Sequence, residues 1–223
     1  MERKWYLDLW ALIRDPFKRG IPEIVEFGTI QRGFAAFMAM AAISFILQWC
    51  VEIGMAYAFG TPHLQLGSLL GRVAGTGFFA IVLSAILSFI VLVIYSVIFS
   101  QIANKLGSNT NYESVLKICW YQSAYSSVLS LIMAIIQWVL IIIVNGFGLN
   151  EILPEIAFTI INLCYAILEF VAFIWFVWVS LTLMGRQIEK NRLITLCITI
   201  ISALIPILFI GVLVWSVFMA IHK

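Results

Sequence analysis

Glu169 lies inside "CYAILEFVAFIWFVWVSL", residues 164–181, as the one charged side chain in an otherwise apolar run. A carboxylate in such a place has three chemical uses. Protonated, it donates a structural hydrogen bond. As a titrating group, it takes up a proton or a cation, which is the use a transporter makes of it. On an interaction face, it meets a polar group of another membrane protein. An ionised carboxylate at mid-bilayer costs about 2.5–3.5 kcal/mol on insertion scales, so the residue needs one of these uses. Its helical face also carries Asn162, Tyr165, Ala166 and Ala172, which are small or polar. That face is expected to turn into the bundle, with Glu169, Tyr165 and Asn162 as the intramembrane polar candidates. Pro206 takes the i+4 donor away from the Ser202 carbonyl at a similar depth, which offers Glu169 a hypothetical acceptor.

Other chemistry is sparse. The histidines are His63 and His222, so neither an HExxH pair nor an intramembrane Ser–His pair can form. Asp8 and Asp15 are the only aspartates, and neither falls in an apolar run. Neither a GxSxG elbow, a Walker A loop nor a GxGxxG fingerprint is present. Cys50, Cys119, Cys164 and Cys197 lie in or beside apolar segments without CxxC spacing, which excludes a zinc knuckle or a disulfide framework. The sequence therefore predicts no catalysis, no metal site and no cofactor. A net charge of +2, with no basic run interleaved with aromatics, points away from nucleic acid.

The elements that carry Glu169 are set by composition. Hydrophobic residues make up 63% of the chain, charged residues 11%, and the mean hydropathy is +1.08. A soluble domain carries about 25% charged residues, so this chain cannot cover a water-facing surface. The expected fold is all-α: a polytopic integral membrane protein. About 20 apolar residues cross the hydrocarbon. Five stretches qualify, roughly 33–52, 74–104, 118–145, 157–183 and 193–219, which makes residues 33–223 a five-helix transmembrane domain. Short turn-rich segments join them, "GSNTN" and "GRQIEKNR" among them.

Residues 1–32 form a separate leader. Trp5, Tyr6, Leu9, Trp10, Leu12 and Ile13 share one arc of a helical wheel; Arg3, Lys4, Asp8 and Arg14 share the other. That pattern predicts an amphipathic helix on the membrane surface, ending near Asp15-Pro16, with Trp5, Leu9, Trp10, Leu12 and Ile13 as the interfacial anchor. Eleven of the 13 basic residues fall in the leader and in the loops at 104–117 and 184–192. Positive charge marks the cytoplasmic side, so the N-terminus is expected inside and the C-terminus outside. "TNYE" at 110–113 reads as a capping box built on Thr110 and Glu113.

Small residues recur at helical spacing. Gly67, Gly71 and Gly75 lead into the second span, and Ser123, Ser126 and Ser130 run along the third. Such stripes let helix backbones approach closely, and are read as internal packing faces, with contacts between copies of the chain as their lesser use.

These features together resemble the Yip family, named for its Rab-GTPase-interacting members, and within it the compact bacterial-type branch. The leader "LWALIRDPFKRG" is similar to the family's amphipathic leader. "KLGSNTNYESVLKICWYQSAYSSVL" resembles its cytoplasmic loop and third span. "FIWFVWVSLTLMGRQIEKNRLI" is similar to its fourth span and the basic turn that follows. The DLYGP motif of eukaryotic members is absent, and "YQSAYS" stands where they carry a Gly-Tyr pair, so Rab binding does not carry over. The resemblance implies five spans and a bacterial inner-membrane location. The expected role is a scaffold that binds another membrane or membrane-associated protein, with a small transporter or channel using Glu169 as the alternative.

Overall fold

The computed structural model describes residues 4–58, 78–147 and 154–221. Among them are seven α-helices and no strand. In chain order they are α1 (Trp5–Arg14), α2 (Ile21–Phe27), α3 (Ile30–Ala58), α4 (Phe78–Lys105), α5 (Tyr112–Gly146), α6 (Pro154–Gln187) and α7 (Arg192–Ile221). A wide π-helical turn, Pro16–Gly20, separates α1 from α2. Three of the helices are long and apolar enough to cross a membrane: Ile86–Lys105 in α4, Tyr112–Val144 in α5 and Thr159–Gln187 in α6. Helices α3 and α7 contribute the shorter apolar stretches Ile30–Ser44 and Arg192–Pro206. Gly67, Gly71 and Gly75 lie outside the described residues.

Helix α5 is the axis of the bundle and touches α1, α3, α4 and α6. Apolar side chains gain little from leaving lipid for protein, so close fit and hydrogen bonds must hold such helices together. The sequence of α5 supplies both. Ala124 and Val128 meet Ala36 and Met40 of α3, and the Ser44 hydroxyl donates to the Ser127 carbonyl at 2.6 Å. Cys119 lies 3.8 Å from the Ser96 hydroxyl of α4. Trp120, fully buried, sits between Phe34 and Phe37 of α3 and Phe89 of α4, with ring centroids 5.0, 5.1 and 5.8 Å away.

The turns at one end are set by their own residues. Helix α4 ends in a Schellman motif: Gly107, at φ +82°, follows the last turn, Ser108 N–H donates to Ala103 O, and Gly107 N–H donates to Asn104 O. Asn104 then holds the loop from both sides, donating to Thr110 O at 2.8 Å and accepting from Thr110 N at 3.0 Å. The capping box expected at Thr110 does not form. Asn111 caps α5 instead, accepting from Ser114 N at 2.8 Å, because Asn104 draws the Thr110 backbone inward and buries its hydroxyl without a partner. Asn191 caps α7 in the same way through Ile194 N at 2.9 Å. The Ser108 hydroxyl donates to Ile188 O at 2.9 Å, which ties the two turns together.

The leader packs on this end. Helix α1 stops at Arg14, just before Asp15-Pro16. Leu9 and Leu12 are buried against protein, while Tyr6, Leu7 and Trp10 are exposed. Asp8, which the helical wheel puts on the polar arc, is fully buried. Its Oδ2 accepts from the Tyr121 hydroxyl at 2.7 Å and lies 3.4 Å from the Arg32 guanidinium. A carboxylate can leave water when it is bonded and paired in this way. Gly20 makes the turn back possible, since a Cβ there would overlap the Leu12 backbone.

Candidate functional site

Helices α5 and α6 run antiparallel, and their register builds a cleft. At one end Gln122 Nε2 donates to Ser180 O at 3.0 Å. One turn further on, the Trp175 indole donates to the Tyr125 hydroxyl at 2.7 Å. Beyond that seal the helices present small residues to each other and a cavity of about 200 Å³ opens. Ser126, Leu129, Ser130 and Met133 line it from α5; Tyr165, Glu169, Ala172, Phe173 and Phe176 line it from α6. The α6 residues recur at intervals of three and four, so one helical face supplies them all.

Two of the three polar candidates, Glu169 and Tyr165, meet here with Ser126 and Ser130 of the small-residue stripe. Asn162 is half-buried and is not among the lining residues, and Ser123, also half-buried, lies outside the cleft. The face of α6 does not turn wholly inward. Tyr165 and Ala172 are partly covered by α5, but Glu169 and Ala166 are exposed. Helix α6 packs on α5 along one side, with α2 and α7 touching it as well. Phe170, Val171 and Phe173, beside Glu169, are about 60% exposed. The carboxylate therefore stands at the mouth of the cleft, on an apolar helix flank.

Glu169 lies near the middle of α6, fifteen residues from Pro154 and eighteen from Gln187. Among the described residues Glu169 forms no ion pair or hydrogen bond. Two serine hydroxyls, a phenol and a carboxylate around a space larger than several waters can accept a proton or small cation, or a donor from a neighbouring helix.

Of the leader residues read as an anchor, Trp5 and Ile13 are half-buried, Leu9 and Leu12 are buried in protein, and Trp10 is exposed. The Asp8–Tyr121–Arg32 contact had no local signal in the sequence, because its members are far apart in the chain. Among the described residues no three His, Cys, Asp or Glu side chains gather as metal ligands, and all four cysteines are free. Comparison with known proteins finds no matching family model, no matching curated protein and no matching solved structure.

Proposed function

We propose that this chain is a non-catalytic, multi-pass membrane protein that binds another membrane protein through the Glu169 flank of α6. The observation that carries the reading is the exposed carboxylate at mid-span on a long apolar helix. An uncompensated carboxylate facing lipid is costly, whereas one meeting a donor in a partner helix is stabilised. The partner is accordingly a transmembrane helix with a basic or hydrogen-bond-donating side chain at the same depth. In this reading the chain is of Yip type and crosses a bacterial inner membrane five times, with α3 and α7 as the outer spans. Its N-terminus is cytoplasmic. In support, the leader and both basic turns pack together at one end, where Lys117 Nζ reaches Val25 O at 2.9 Å and Ser108 reaches Ile188.

A photo-crosslinking residue at Phe170, used in native membranes, tests the reading. One protein adduct of defined mass is expected, and Glu169→Leu should remove it. Adducts to lipid alone, or an adduct indifferent to Glu169→Leu, would refute partner binding. A second reading is favoured by the cleft itself, whose serines and phenol give Glu169 polar company: a small proton or cation transporter. In liposomes it requires flux that Glu169→Gln abolishes.

A further inference from the structure

A second cavity, of about 790 Å³, lies at the end of the bundle that carries the leader and the basic turns. Phe17 of the π-helical turn and Ile21 of α2 form one wall. The end of α6 and the start of α7 form the other, with Leu181, Thr182, Gly185, Arg186, Glu189, Lys190, Asn191 and Arg192. Three cations thus face one carboxylate. None of the three forms an ion pair among the described residues.

Arg192 is held in place. Its Nε donates to the Thr182 hydroxyl at 2.8 Å, and its guanidinium lies 4.1 Å from the centre of the Trp178 ring. Both contacts use one edge and one face of the group. The two terminal nitrogens are left for a bidentate acceptor, the geometry in which arginine recognises phosphate. Apolar surface adjoins this charge: Trp178 is 47% exposed one turn before Thr182, and Leu193 is 72% exposed beside Arg192. Tryptophan and arginine side by side at the end of an apolar helix mark headgroup depth.

We propose that this cavity binds the phosphodiester of an anionic phospholipid. Arg186, Lys190 and Arg192 receive the phosphate, and Glu189 accepts from a headgroup hydroxyl. The acyl chains leave along Trp178 and Leu193. The volume suits a headgroup rather than a bare phosphate, which would fill little of it. Phe17 packs edge-on against Trp175 at 5.8 Å, so the bound lipid would also fasten the leader to the α6–α7 hairpin. The inference rests on the membrane-spanning reading of the chain and not on the partner proposed for Glu169.

The test is native mass spectrometry of the full chain released from nanodiscs of phosphatidylglycerol and phosphatidylcholine. Preferential retention of phosphatidylglycerol is expected. Arg186→Gln/Lys190→Gln should lower that preference by roughly tenfold, the scale of losing one or two charge-assisted bonds. Arg186→Lys should preserve it. Lys105→Gln, which removes a positive charge outside the cavity, should leave it unaltered. Should the double variant not fold, Arg186→Gln alone, an exposed change clear of the Arg192 contacts, should still lower the preference. Equal retention of the two lipids, or a preference unchanged in a folded variant, would overturn the proposal. Displacement of the lipid by inorganic phosphate would overturn the lipid assignment, leaving a phosphate site. Loss of the Phe170 adduct bears on none of these outcomes.

Discussion

The Tyr121 hydroxyl donates to Oδ2 of Asp8 across 2.7 Å, joining the first helix of the chain to the axis of its bundle. Arg32, 3.4 Å from the same oxygen, adds the start of α3 to the joint. Arg32 also donates to Phe27 O and to the Thr29 hydroxyl, so the guanidinium is held by the turn that precedes its own helix. Three helices meet at one buried carboxylate. The leader is consequently part of the protein's packing, and the flank bearing Tyr6, Leu7 and Trp10 remains open.

Tyr121→Phe leaves the Asp8 carboxylate short of a donor in a buried place. It should cost about 1–3 kcal/mol, as should Asp8→Asn, and the pair should cost less than the sum of the two. Unfolding of the four forms in detergent micelles measures the coupling. Additive losses would mean that the two side chains do not act together.

Gly20→Ala puts a methyl group into the Leu12 backbone. The expected result is detachment of α1 with the long apolar helices still folded. Trypsin should then cut faster at Arg14, Lys18 and Arg19 while the main unfolding midpoint moves little. An unchanged cleavage rate would refute the close approach.

The start of α5 separates two capping schemes. Asn111→Ala should destabilise by about 1 kcal/mol, since it removes the bond to Ser114 N. Thr110→Val should be neutral or slightly stabilising, because the Thr110 hydroxyl is buried without a partner. A capping box at Thr110 would reverse the order of the two effects in the same unfolding assay.

Trp120→Ala should cost about 3–5 kcal/mol, the range for emptying an aromatic site in a packed core. Trp120→Phe should cost far less. The ring contacts with Phe34, Phe37 and Phe89 survive in it, and the indole N–H makes no hydrogen bond to lose. Equal losses in thermal unfolding would show that the indole, and not aromatic packing, matters there.

Local properties were legible in the chain itself. Apolar runs at α4, α5 and α6 declared the long helices, because a stretch of some 20 residues without charge is a one-dimensional signal. Asp15-Pro16 announced the end of α1, since proline fixes its own backbone and removes a donor. Glu169 stood out for the same reason: a charge in an apolar run is visible without knowing its neighbours. The helical wheel also grouped it with Tyr165, which does line the same cleft.

Direction was decided only by the tertiary structure. A helical wheel ranks faces against each other but does not say what each face meets. On α1 it put Asp8 with the polar residues, yet a donor 113 positions along the chain draws that carboxylate inside. On α6 it turned a polar face inward, yet the packing of α5 along one side leaves Glu169 at the mouth of the cleft. At Thr110 the capping motif was complete in sequence, but Asn104 took hold of its backbone first. Composition and spacing determine which segments become helices, because those forces act within a turn or two. Which side of each helix is covered depends on residues brought together from distant parts of the chain.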